Sequence, residues 1–211
     1  GLNHLCLAGG VALNSVANHR IVRELELAGF FAFPAAGDSG IAAGCALWAN
    51  HKHAGYPVAR VPMTRATRGR CSTRAEVPAA VEAKGDELEL ETLAPAEMIK
   101  RTAKALAMGR IVARFEGGSE YGPRALGHRS ILADPTFGQM RDVLNLRVKH
   151  REAYRPFAPV VPLEAAKQVF ELGAESPHML LVAPVRTEFR EVLPSITHYD
   201  GTGRVQTVIA H

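Results

Sequence analysis

From Glu120 to Ser130 the chain reads Glu-Tyr-Gly-Pro-Arg-Ala-Leu-Gly-His-Arg-Ser, with Arg124 and Arg129 five residues apart and glycines between and before them. Glycine lets a backbone come close to a ligand, and a guanidinium fork matches a tetrahedral oxyanion two bonds at a time. Ser130 adds a hydroxyl. Each charge-assisted bond contributes roughly 1.5–3 kcal/mol, so losing one lowers affinity about 10- to 100-fold. The competing reading is a structural arginine that ties a loop together. Glu120, beside so many arginines, reads better as an orienting partner for one of them than as a general base.

The surrounding stretch is basic. Arg110, Arg114, Arg124, Arg129, Arg141, Arg147, Lys149, Arg151 and Arg155 outnumber Glu116, Glu120, Asp134, Asp142 and Glu152. Such an excess favours an anionic ligand, phosphate or nucleic acid, or else marks a solvated face. Gly9, Gly10 and Val11 form a second candidate, a turn between a strand-like run and a helical one, where backbone N–H groups can cradle phosphate. Asn14 either assists there or lies on an exposed helix face. Asp38, within Gly37-Asp38-Ser39-Gly40, suits the cap of the helix that follows.

The remaining residue types bound the answer. The three cysteines, Cys6, Cys45 and Cys71, show no zinc or disulfide spacing. Cys6 and Cys45 read as core fillers and a reducing cytosol as the compartment. Trp48 and Phe30 to Phe33 also read as core, and His4, His19, His128, His150 and His178 as surface or packing residues. A net charge of +4 is too modest to decide a partner by itself. No run approaches the roughly 18 apolar residues needed to span a bilayer. The chain opens without Met and without a signal pattern, so a piece of a longer protein is expected.

Elements positioning these residues follow from periodicity. Residues 4–8 suit a short buried strand, 11–27 a helix stopped by Gly29, Phe30 to Phe33 a second strand, and a small-residue helix runs to about Asn50. Strand, glycine turn, helix, repeated, is α/β grammar. Residues 51–93 are weaker in pattern, which places a domain boundary there. Beyond it come a helix over 95–108, a strand over 110–115, a loop over 116–130 and a helix over 138–149. A strand over 157–161, a helix over 163–172, and strands over 179–185 and 204–209 complete the chain.

The stretches EYGPRALGHRSILADP, NLRVKHREAYRPFAP and HYDGTGRVQTV resemble the C-terminal part of the O-carbamoyltransferase family, which modifies antibiotics and nodulation factors. LCLAGGVALNSVANHRI and FPAAGDSGIAAGCAL resemble the end of its N-terminal domain. The resemblance implies the tail of an actin-like domain at 1–55, a linker at 56–93, and an incomplete threonylcarbamoyl-AMP-synthase-like α/β domain with a twisted sheet at 94–211. It implies carbamoyl phosphate and ATP as co-substrates, joined as a carbamoyl-adenylate, and a hydroxyl on a small molecule as acceptor.

Carried over by position, Arg124, Arg129, Ser130, Lys149 and Arg155 face carbamoyl phosphate or the adenylate, with Arg124, Arg129 and Lys149 catalytic. Gly9, Gly10, Val11 and Asn14 hold nucleotide, with Mg as a further candidate. Asp38 is a ligand to an iron-type metal whose partner HxxxH belongs to a segment absent here, so weak iron binding is expected of this chain. His198 and Asp200, in the HYDGT segment, lie near the cleft. Two departures stand out: Arg65-Ala66-Thr67-Arg68-Gly69-Arg70 occupies the place of an aromatic-Gly-Pro signature, and the ends are missing. Rival readings are a tRNA-type nucleic-acid module, disfavoured by the 6% aromatic content, and a ligand-binding piece without turnover. The missing parts of its own parent chain are then partners, alongside the acceptor.

Overall fold

The computed structural model describes residues 3–57, 66–73 and 75–209. Strands β1 (His4–Leu7) and β2 (Gly29–Ala32) pair in parallel, His4 opposite Gly29 and Leu7 opposite Ala32. A parallel pair needs a crossover. A short 3-10 turn (Gly10–Leu13) and helix α1 (Ser15–Glu24) supply it. The helical pattern over 11–27 is therefore broken, and the break is Asn14. Its Oδ1 accepts from the Ala17 N–H at 3.1 Å, which makes it the N-cap of α1. The helix stops at Glu24, and Gly29 opens β2 instead of ending the helix.

This pair is covered on one side only, by Ala12, Ala36 and Leu180 packed around Ala32. The expected buried first strand is accordingly half-exposed, and Cys6 and Cys45 are exposed, not core. Phe31 (41% exposed) and Trp48 (61%) face outward as well, so only Phe30 and Phe33 of the aromatic cluster pack against buried residues. Helix α2 (Asp38–His53) follows, with Gly37 as its N-cap and Asp38 its first residue, so Asp38 does not cap it.

Helix α3 (Glu76–Glu82) gives the expected linker a short ordered element. Around it, Arg65 and Arg74 lie outside the described residues, as do Met63 and Thr64. Helix α4 (Pro95–Ala107) carries its proline in the first turn. Strands β3 (Val112–Phe115) and β4 (Arg129–Leu132) are antiparallel, Phe115 opposite Arg129. The loop expected through residue 130 thus ends in a strand that contains Arg129 and Ser130.

Helix α5 (Met140–Val143) runs into a π-helical segment (Leu144–Lys149), closed by His150 in the left-handed conformation at φ 47°. The last sheet has the order β5 (Val160–Pro162), β7 (Thr202–Val208), β6 (Leu181–Pro184), with β7 parallel to β5 and antiparallel to β6. Helices α6 (Leu163–Val169) and α7 (Thr187–Arg190) flank it. Its core is Phe170, Leu181, Val185, Ile196 and Val205.

The mixed α/β class matches expectation. Asn18 joins the two ends of the chain: fully buried, its amide donates to the carbonyls of Ala12 (2.9 Å) and Leu180 (3.1 Å). Among the described residues no helix is long and apolar enough to cross a membrane.

Candidate anion site

The loop from Glu120 to Arg129 is folded around one carboxylate. Glu120 Oε1 accepts from the backbone N–H groups of Leu126 (2.8 Å), His128 (2.8 Å) and Arg129 (3.1 Å). Burial works to raise this carboxyl, yet those amides hold it below the usual carboxylate range. Glu120 therefore orients a loop through its backbone; it does not pair with an arginine side chain. The Ser130 hydroxyl accepts from Gly127 N–H at 2.8 Å and pins the same turn.

That loop docks on the ends of β1 and β2. The Tyr121 hydroxyl donates to the carbonyl of Ser39, and its ring meets Phe33 edge-on at 6.1 Å. Gly122 sits at φ 123°, and a Cβ there would be 2.5 Å from the Pro34 carbonyl oxygen. Only glycine combines that backbone angle with so close an approach. Arg124 donates from Nη2 to the Leu13 carbonyl at 3.3 Å.

Three guanidinium groups, those of Arg124, Arg151 and Arg155, act through their charge on that of Arg204. Arg204 projects from β7 and is brought down to about 10, first by burial and then by the charges of Arg124, Arg151 and Arg155. Burial likewise lowers Arg124. The Nε atoms of Arg124 and Arg204 are buried and have no acceptor among the described residues. Buried donors are ordinarily satisfied, and like charges repel unless an anion lies among them. Glu152 supplies part of the countercharge, 3.7 Å from Arg155.

Asn145 shapes the Arg151–Arg155 segment. It is fully buried as the second residue of the π-helical segment; its amide donates to the carbonyls of Ala153 (3.1 Å) and Arg155 (2.8 Å). Its carbonyl oxygen accepts from Arg151 Nε at 2.7 Å. Arg151 also lies over the Phe157 ring at 4.7 Å. On the other side, Gln206 of β7 donates to the Leu126 carbonyl at 3.1 Å, joining the strand to the loop.

Of the residues expected to face the ligand, the structure brings Arg124 and Arg155 together. Arg129 is used differently: it donates to the carbonyls of Glu116 (2.8 Å), Gly117 (2.8 Å) and His128 (3.1 Å), and its guanidinium lies 3.5 Å from the Phe115 ring centre. Lys149 is exposed at the end of the π-helical segment. Gly9, Gly10 and Val11 form an exposed turn, Gly9 at φ 89°. A Cβ added to Gly37 would lie 3.9 Å from the Gly10 Cα, so the two glycine turns are neighbours at the strand ends.

Asp38 is exposed there, and among the described residues no three His, Cys, Asp or Glu side chains gather to hold a metal. The residues present do not by themselves make an iron site. The sequence places Arg151 in the basic stretch without singling it out, and Arg204 and Asn145 were passed over. Arg204 had a signal: it alternates with Gly203 and Val205 in a run whose other face is apolar.

The constellation belongs to a mixed α/β protein in which an arginine-rich loop meets a glycine-turn unit. Carbamoyltransferase N-terminus and C-terminus sequence families match residues 1–47 and 103–211 respectively. The chain belongs to the carbamoyltransferase family. It is 42% identical to nodulation protein NolNO of Sinorhizobium fredii, covering 99% of this chain and 31% of that protein. It is 36% identical to 3'-hydroxymethylcephem-O-carbamoyltransferase of Streptomyces clavuligerus, covering 97% of this chain and 36% of that one. Against nodulation protein U of Rhizobium tropici it is 35% identical, over 99% of this chain and 34% of the relative. The chain thus spans about a third of the length of the curated relatives it matches.

Proposed function

We propose that the arginine cluster binds carbamoyl phosphate, and that the protein to which these residues belong transfers the carbamoyl group to a hydroxyl of a small molecule. The observation carrying this is the set Arg124, Arg151, Arg155 and Arg204, with two buried guanidinium nitrogens lacking acceptors among the described residues. A phosphate dianion supplies the acceptors and the countercharge together. In this reading water cleaves carbamoyl phosphate to carbamate and phosphate, the carbamate oxygen displaces pyrophosphate from the α-phosphorus of ATP to give a carbamoyl-adenylate, and positive charge around phosphorus stabilises that transition state.

The family names support the coarse activity, and the finer assignments extend it. Residues 1–55 are assigned to the end of an actin-like domain and 94–211 to an adenylate-forming domain, with 56–93 between them. The adjoining turns at Gly9-Gly10 and Gly37-Asp38, at the carboxyl ends of parallel strands, suit phosphate groups of a nucleotide. In this assignment Arg129 and Glu120 hold the loop, while Arg124, Arg155 and Arg204 hold the ligand.

Calorimetric titration of carbamoyl phosphate into the chain, with inorganic phosphate as competitor, tests this. Competitive binding that weakens 10-fold or more in Arg124→Ala supports it. A folded chain that binds neither compound refutes the assignment of this cluster.

A further inference from the structure

The guanidinium cluster offers donors only, whereas a carbamoyl group carries a donor of its own, the NH2. His198 supplies the missing acceptor. Its Nδ1 lies 3.1 Å from Thr202 Oγ1, and Thr202 Oγ1 lies 2.7 Å from Asp200 Oδ1. Asp200 Oδ1 also accepts from Thr202 N–H at 3.0 Å. The Thr202 hydroxyl, countering partial burial, holds the Asp200 carboxyl below its usual range, so the carboxylate is ionised and can only accept. Thr202 has one hydroxyl hydrogen, and Asp200 takes it. His198 Nδ1 must then be the donor to Thr202, which fixes the tautomer and leaves Nε2 with a free lone pair.

That Nε2 is buried and has no partner among the described residues. Through Thr202 the ring adjoins the face of β7 that carries Arg204. Thr202, Arg204 and Gln206 alternate along one face of β7, opposite the core-facing Gly203 and Val205. Gln206 bonds the loop that carries Arg124, and the charge of Arg204 acts on the His198 ring. The buried, unpartnered atoms of this cluster are thus two guanidinium donors, Arg124 Nε and Arg204 Nε, and one imidazole acceptor.

We infer that His198 is a specificity-determining residue, its Nε2 accepting a hydrogen bond from the carbamoyl NH2 of the bound acyl phosphate. The inference rests on the reading of the cluster as the carbamoyl phosphate site. Acetyl phosphate has the same charge and nearly the same shape but presents a methyl group where the NH2 would be. It would leave Nε2 unsatisfied, and a site built to hydrogen-bond a group discriminates against the analogue lacking it.

The test is competitive titration of carbamoyl phosphate, acetyl phosphate and inorganic phosphate into the full chain, its His198→Phe variant and its His198→Gln variant. The wild-type chain is expected to favour carbamoyl over acetyl phosphate about 10-fold or more. His198→Phe brings that ratio to about one with acetyl phosphate binding retained, and His198→Gln, whose amide oxygen can replace Nε2, restores part of it. Retained acetyl phosphate binding reports that His198→Phe is folded.

A second readout is the imidazole 15N spectrum of the wild-type chain. Nε2 is expected unprotonated at neutral pH, with its shift moved by carbamoyl phosphate and much less by acetyl phosphate. An unchanged ratio in His198→Phe, or a protonated Nε2, overturns the role of His198 while leaving the cluster as an acyl phosphate site. A wild-type chain that binds none of the three phosphates overturns both.

Discussion

Arg124 reaches from the arginine-rich loop to the carbonyl of Leu13, in the turn after the first strand. One of its nitrogens is thereby committed to the glycine-turn unit while its buried Nε is left without an acceptor among the described residues. The side chain therefore fastens the two units, and in the proposed assignment it also holds the anion. Replacing it with Ala is expected to weaken carbamoyl phosphate about 10- to 100-fold by calorimetry.

Arg204 separates binding from stability. It is half-buried among three like charges, and removal of an electrostatically opposed cation relieves strain in the ligand-free fold. Arg204→Met is expected to lose at least 10-fold in affinity, yet to melt no lower than the parent in scanning calorimetry without ligand. A large fall in melting temperature would show that the cluster is held together by contacts, not opposed by charge.

The opposite pattern is expected of Arg129. Its forked contacts with the Glu116 and Gly117 carbonyls, and its place over Phe115, suit a planar guanidinium and not an ammonium. Arg129→Lys should cost about 1–2 kcal/mol of stability in urea denaturation, on the scale of one or two hydrogen bonds. Its effect on carbamoyl phosphate affinity should be smaller than that of Arg124→Ala.

Asn145→Ala tests the segment that presents Arg151 and Arg155. It removes the donors to the Ala153 and Arg155 carbonyls and frees Arg151 Nε. A loss of about 1–3 kcal/mol in stability is expected, together with weaker carbamoyl phosphate binding, because both arginines lose their anchor. Normal affinity in a destabilised variant would separate the segment from the site.

Acid should weaken the fold before the carboxylates titrate. Burial is the main cause lowering His19, His178 and His198 from the ordinary histidine value, with Arg23 adding to it at His19 and Arg204 at His198. Unfolded histidines bind protons near pH 6.5, and the folded ones only at lower pH. Their contribution to stability is whole above about 6.5 and is lost as pH falls through the folded values. Urea midpoints should drop between pH 7.5 and 5.5; a flat profile contradicts this.

Local signals carried much of the fold. Pro95 and Gly109 bracketed a helix observed at Pro95–Ala107, and the alternation over 110–115 became β3. What stayed hidden depended on distant residues. Asn14 reads as an ordinary polar helix position until its amide is seen capping α1. Residues 129–132 look like loop because their pairing with β3 is set by register across the Glu120 turn. Cys6, Phe31 and Trp48 are apolar yet exposed, since burial depends on what covers a face and not on the residue alone.

The site divides in the same way. Arg124 and Arg155 sit within conspicuous motifs, whereas Arg204 arrives from a strand roughly 80 residues away, a distance only the fold can close. Arg129 looked equivalent to Arg124, and spacing could not tell a loop brace from a ligand contact.

Strand β7 lies between β5 and β6, and its side chains alternate between Val205 in the core and Arg204 in the site. A slip of one residue would turn Arg204 into the apolar centre and Val205 toward the anion. No misthreaded chain could keep its interior while losing its ligand. In this strand, quality control by folding and quality control by activity are one inspection.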